Sequence, residues 1–265
     1  LCLSAALSAG SLTAYAATEY WNDASTKPMV ETKTPISDNT NWEQWKAGWD
    51  NLKTNYEQVA LTPGADFSKL NFGWYSKEKT DKAMVRIADN KDMKNAKEFK
   101  GTCTEGTVIN GVQYYSNKVT ADGFEPNTTY YYQVKLNGKW QQAHEYKTGD
   151  PHNFSFMYVG DPQIGASKGQ VPNESAVEQS EDVAARNDAY NWNKTLNSAL
   201  AQHPEINFLV SPGDQINEPA GNNAEKHLLQ EYEYSGYLSA TAFRNLPQAV
   251  AIGNHDCLTT SYQNH

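Results

Sequence analysis

The chain has 265 residues with 22 basic and 31 acidic side chains, a formal net charge of −9. With no basic patch to offset it, that balance excludes nucleic acid as the main partner. Three cysteines (Cys2, Cys103 and Cys257) are too few and too scattered for a disulfide framework. Beyond the N-terminus no stretch approaches the roughly 20 apolar residues needed to cross a bilayer.

Residues 1–17 are uncharged, rich in Leu and Ala, and close on Ala14-Tyr15-Ala16, an A-x-A cleavage pattern. They predict the apolar core and exit site of a secretory signal peptide without its basic start. A buried N-terminal helix is the alternative. The mature protein is therefore expected to be secreted or held at the cell surface. With no initiating Met and an end soon after Asp256, the chain is expected to be a fragment at both ends. Residues 18–56 read as a polar leader with a short helix. In that helix Trp42, Trp45, Trp49 and Leu52 recur at three- and four-residue spacing and Asn41 supplies the cap. The Trp stripe is expected to pack against the next domain, and a sugar-binding stripe is the other reading.

From 57 to 150 the chain turns to short β-type runs at 58–61, 71–75, 83–89, 112–121, 129–136 and 144–147. Gly, Asn and Pro separate them, as in an antiparallel sandwich. Asn137-Gly138 predicts a hairpin turn, because both residues tolerate positive φ. Thr148-Gly149-Asp150-Pro151 marks a boundary.

Residues 151–265 carry three apolar runs, each followed by Gly. They are 154–159 before Gly160-Asp161, 206–210 before Gly213-Asp214, and 249–252 before Gly253-Asn254. Such runs suit strands covered on both faces of a parallel sheet. Helical patterns at 183–202 and 224–238, the second with Leu228, Leu229, Tyr232 and Tyr237 as its apolar positions, supply right-handed crossovers. The loop at 162–182 is long enough to be either a substrate-shaping element or a mobile one. In open α/β sheets ligand-binding groups gather beyond the carboxyl ends of the strands. Asp161, Asp214, Asn254 and His255 are thus expected at one rim, where converging oxygen donors call for a cation. Asp256 is expected to orient the His255 imidazole.

The blocks Asp161-Pro162-Gln163, Gly213-Asp214 with Asn217, and Gly253-Asn254-His255-Asp256 come in this order, each behind a strand. The arrangement resembles the calcineurin-like metallophosphoesterase superfamily, and within it the purple acid phosphatase branch. Gly123 to Tyr130 resembles the "tyrosine corner" of fibronectin-type sandwiches, with Trp74 as the core tryptophan. The resemblance implies an all-β, fibronectin type III-like sandwich followed by the first part of an α/β metallophosphoesterase domain, β-α-β-α-β with parallel strands. It implies hydrolysis of small phosphoesters, monoesters first and diesters second, at two metal ions (Fe, Zn or Mn). Asp161 would bind the first metal, Asn254 the second, and Asp214 would bridge them. His255 would protonate the leaving alkoxide or stabilise its charge.

Two positions depart from the family pattern. Gln163 stands where many members have His, and would coordinate weakly or through water. Asn217 stands where purple acid phosphatases have the Tyr that colours their iron, so a colourless enzyme is expected unless Tyr232 or Tyr234 substitutes. The later histidine blocks are not in these residues, so little activity is expected of the chain as it stands. His265 is the remaining histidine that could reach a substrate phosphate. The competing reading is a cell-surface binding module, its sandwich and Trp stripe contacting glycan and its second domain a degenerate passenger.

Overall fold

A computed structural model of the chain describes residues 42–169, 180–257 and 261–265. The expected signal segment, the leader, the Asn41 cap and the middle of the 162–182 loop lie outside the described residues.

The first layer pair is built from β1 (Ala60–Pro63), β2 (Lys69–Ser76), β3 (Met84–Ala88), β4 (Lys97–Lys100), β5 (Thr102–Ile109), β6 (Val112–Asp122), β7 (Thr129–Leu136), β8 (Lys139–Trp140) and β9 (His144–Lys147). One antiparallel sheet runs β1-β2-β6-β5; the other runs β4-β3-β7-β8, with β9 also on β7. Period-two alternation turns Leu70, Phe72 and Trp74 of β2 inward. There they meet Val119 and Ala121 of their own sheet and Val85, Ile87, Tyr132 and Val134 of the facing one. Burying each large side chain stabilises by about 1.5–3 kcal/mol, which makes this row the reason the sheets stay together. The Tyr130 hydroxyl accepts from Glu125 N (2.9 Å), closing the expected corner. Asn137 and Gly138 take φ of 46° and 76°, the hairpin turn their side chains permit.

Strands β4, β5 and β8 escape the hydrophobic pattern. β4 is a charged edge strand, Lys-Glu-Phe-Lys, whose composition resembles a loop. In β5 the pairing slips between Glu105 and Val108, which breaks the alternation a reader looks for.

The second part runs β10 (Ser155–Tyr158), α2 (Glu181–Gln202), β11 (Ile206–Ser211), α3 (Ala224–Leu238), β12 (Gln248–Val250) and a last helical turn, α4 (Ser261–Asn264). The three strands are parallel in the order β10-β11-β12. Ser180 caps α2 by accepting from Val183 N (3.3 Å), and Asn223 caps α3 by accepting from Lys226 N (2.9 Å). The strands were expected to be covered on both faces; among the described residues only one face is. Met157, Val159 and Leu209 pack on Tyr190, Leu196, Tyr237 and Phe243, whereas Phe156 and Tyr158 on the other face are 50% and 67% exposed.

Two helices depart from the periodicity reading. The helix α1 (Trp42–Lys53) does not cover the sandwich that follows it. It crosses to the C-terminal part, where Trp42, Trp45 and Trp49 are buried against α2 and α3. Trp45 Nε1 donates to Arg186 O (3.1 Å) and Trp49 Nε1 to Asp182 Oδ1 (2.9 Å). Buried indoles cannot stack on sugar, so the glycan-stripe reading falls. In α3 the sequence marked Leu228, Leu229, Tyr232 and Tyr237 as the inward face. The helix instead buries Gln230, Glu231, Glu233 and Tyr234 with Tyr237, a polar stripe facing the loops at the strand ends.

Candidate metal centre

The carboxyl ends of the parallel strands are drawn together by backbone hydrogen bonds. Asp161 N donates to Gly213 O (3.2 Å), Gln163 N to Asp214 O (3.0 Å) and Ile164 N to Gln215 O (3.2 Å), while Asn217 N returns to Ile164 O (3.1 Å). The loops after β10 and β11 therefore run side by side, fixed by an isolated parallel bridge between Ile164 and Ile216. Asp161, Gln163 and Asp214 have φ of 50°, 33° and 53°. Left-handed backbone at non-glycine residues is uncommon and gathers at functional sites, and Asp tolerates it best through its short polar side chain.

The third loop arrives through two glycines. At φ 133°, Gly213 lies so near Gly253 that a Cβ on it would fall 2.7 Å from the Gly253 Cα, and a Cβ on Gly253 would meet Asp214 Oδ1. Only glycine at both places lets the loops touch. His255 N then donates to Asp214 Oδ1 (2.9 Å). Asp214 is buried at the floor, while Asp161 and Asn254 are exposed at its edge.

Asp256 does a different job from the one expected. It is fully buried, and its carboxylate accepts from Asp214 N (2.8 Å), Gly253 N (2.9 Å), Gln215 N (3.2 Å) and the Tyr234 hydroxyl (3.1 Å). The acidic side chain ties the second loop to the third and is spent on that. The His255 imidazole is oriented instead by the Asn217 carbonyl, which faces Nδ1.

Tyr234 is no substitute for the missing colour-giving tyrosine. Burial first, then the adjacent Asp256 charge, holds its hydroxyl far above the usual phenol range, and it donates to Asp256 rather than facing the rim. Tyr232 stacks on Tyr56 at 6.4 Å beside the sandwich. His265 does not face a substrate position either: its ring is buried between Tyr75 and Tyr234 and its Nε2 is 2.9 Å from Glu231 Oε2.

Two carboxylates under the loops, Asp188 half-buried and Glu233 buried, escaped the sequence reading. Asp188 of α2 accepts from Gly165 N (2.9 Å) and Ser167 N (3.1 Å), and burial pushes its carboxyl up to about 6. Glu233 of α3 accepts from Asn217 N (3.0 Å) and Glu218 N (2.7 Å), and burial raises it well above the usual range.

Asp161, Asp214 and Asn254, with Gln163 beside them, offer hard oxygen donors on adjoining loops, a donor set that suits Mn, Fe or Mg. Among the described residues Asp214 accepts the His255 N–H at Oδ1. By donor type these groups suit part of a coordination shell. Among the described residues, no three His, Cys, Asp or Glu side chains are grouped closely enough to hold an ion by themselves.

Comparison with known proteins agrees with the sandwich. The family model "Purple acid Phosphatase, N-terminal domain" matches residues 56–148. No curated protein sequence matches the chain. Among solved structures, a purple acid phosphatase from yellow lupin (Lupinus luteus) seeds aligns over 74% of this chain and 35% of its own, with 15% identity and a TM-score of 0.48. PhoD aligns over 76% of this chain and 40% of its own, with 15% identity and a TM-score of 0.45. The chain thus spans about 35–40% of the length of the structures it resembles. Among the described residues no helix is long and apolar enough to cross a membrane. Residues 56–148 are thus similar to the N-terminal domain of purple acid phosphatases.

Proposed function

We propose that this chain belongs to an exported, metal-dependent phosphoester hydrolase and supplies its sandwich and one side of its catalytic centre. The observation that carries the reading is the meeting of three strand ends at Asp214, where the His255 N–H reaches the Asp214 carboxylate and the two glycines close the gap. Asp161, Asp214 and Asn254 would hold the metals, Asp214 serving both, with Gln163 as a weak or water-linked donor. Two such ions clamp a phosphate ester and supply hydroxide near neutral pH. His255, its Nδ1 tied to the Asn217 carbonyl, has Nε2 left to give a proton to the leaving alkoxide or to steady its charge. Asp256 keeps the Asp214 and Gly253 loops in register. With Asn217 at the colour-giving position and Tyr234 held protonated, neither residue would give a tyrosinate to an iron ion, and a colourless enzyme is expected.

The test is hydrolysis of a chromogenic aryl phosphate by the full-length gene product, with and without chelator, beside Asp214→Ala. Turnover lost to chelator, and metal lost from the variant at both sites, support the reading. Turnover that survives both treatments sinks it.

A further inference from the structure

We infer that Glu233 is a positioning residue for His255, acting through the Asn217–Glu218 peptide group. The inference takes its catalytic meaning from the phosphoesterase reading, but its geometry stands apart from it.

Glu233 is buried on α3 and its Oε2 accepts from two successive backbone donors, Asn217 N (3.0 Å) and Glu218 N (2.7 Å). The Glu218 N–H and the Asn217 C=O belong to one planar, trans peptide unit and point in opposite directions. Fixing the N–H on Glu233 therefore aims the carbonyl away from α3, and that carbonyl is the group facing His255 Nδ1. A carbonyl only accepts, so Nδ1 must carry the hydrogen. The neutral ring is then the Nδ1–H tautomer, and Nε2 is the nitrogen that takes up and returns a proton.

The surroundings leave Glu233 little freedom to do otherwise. Its Oε1 occupies the place a Cβ on Gly165 would need, with Gly165 at φ 110°. Gln230, one turn earlier on the same helix, donates from Nε2 to Glu218 O (3.0 Å), holding the next peptide as well. A residue that merely satisfied loop N–H groups would leave the tautomer of a distant imidazole unchanged. Glu233 would not.

The tautomer can be read directly in this chain by two-bond ¹H–¹⁵N correlation spectra of the histidine rings at alkaline pH, with His255 assigned by its loss in His255→Ala. The wild type is expected to show His255 as Nδ1–H. Glu233→Gln keeps an acceptor in place and should keep that pattern. Glu233→Ala should move His255 toward Nε2–H, and Glu233→Asp, with its carboxyl drawn back, should move it part of the way. An Nε2–H ring in the wild type, or an Nδ1–H ring unchanged in folded Glu233→Ala or Glu233→Asp, overturns the inference. In the full-length, metal-loaded enzyme, Glu233→Ala is expected to lower kcat by about 10–100-fold with KM nearly unchanged, and Glu233→Gln to restore most of it. If the wild-type enzyme hydrolyses no phosphoester, the functional reading fails, while the tautomer spectra still judge the role of Glu233.

Discussion

Replacing Asp256 with Asn tests whether the motif's last acidic residue is a fastener or a catalyst. Each carboxylate oxygen takes two donors, Oδ2 from Asp214 N and Gly253 N and Oδ1 from Gln215 N and Tyr234 Oη, all in a fully buried position. An amide keeps one oxygen for the first pair but turns an NH₂ toward the second. Tyr234 can rotate its hydroxyl to accept; the Gln215 N–H cannot, and is left buried and unpaired at a cost of about 1–3 kcal/mol. The bonds that survive lose their charge assistance, about 1 kcal/mol each. Asp256→Asn should therefore destabilise by about 3–5 kcal/mol, a fall in Tm of about 6–20 °C at this chain length. Thermal unfolding followed by circular dichroism reads it, with Asp161→Asn as the control. Asp161 is exposed and at φ 50°, which Asn tolerates, so the control should barely move. An Asp256→Asn protein that melts with the wild type would refute the fastener argument.

Other consequences can be measured separately. Trp49→Ala removes a buried indole and its bond to Asp182, and should lower the urea midpoint by the equivalent of about 3–5 kcal/mol; an unchanged midpoint would mean that α1 does not belong to the C-terminal core. Asp188 is raised from 3.8 to about 6, so its contribution is whole below the unfolded value and fades as pH rises through the folded one. Between pH 4 and pH 7 that amounts to about 2 kcal/mol. Asp188→Asn should thus gain on the wild type by roughly that much across the interval, and a constant difference in urea midpoints at the two pH values speaks against it. In the full-length enzyme His255→Ala should retain its metal, by elemental analysis, and lose kcat by about 10²–10⁴-fold. Unchanged turnover would remove His255 from the chemistry.

Much of the fold is legible in the sequence because the forces involved are local. The 129–136 and 144–147 strands, the Asn137-Gly138 turn and the Tyr130 corner all announce themselves through alternation or positive-φ residues. β4 and β5 do not, since a charged edge and a slipped register look like loop. The three strand ends are likewise readable, since Gly, or Pro and then Gly, follows each apolar run closely. What the sequence hides is the underside of the site. Glu231 and Glu233 sit among polar neighbours on α3, so periodicity assigns them to water, whereas in the fold they are buried by the loops they hold. The role of Asp256 is hidden for a related reason. Its donors come from residues some forty positions away, which no local spacing reveals.

The placement of α1 has a consequence for how the molecule comes together. The Trp45 indole and the Arg186 carbonyl it meets are 141 residues apart, with the whole sandwich strung between them. Closing so long a span of loose chain is entropically costly, though the cost grows only logarithmically with length. A sandwich that has already condensed shortens that span, since it hands its two ends onward as a compact body. The tryptophan face of α1 leaves the ribosome early and gains its cover only once α2 and α3 have followed. The sandwich thus acts as the spacer across which a clasp is fastened, and cleavage just after Lys53 would unfasten the C-terminal part without touching a residue of it.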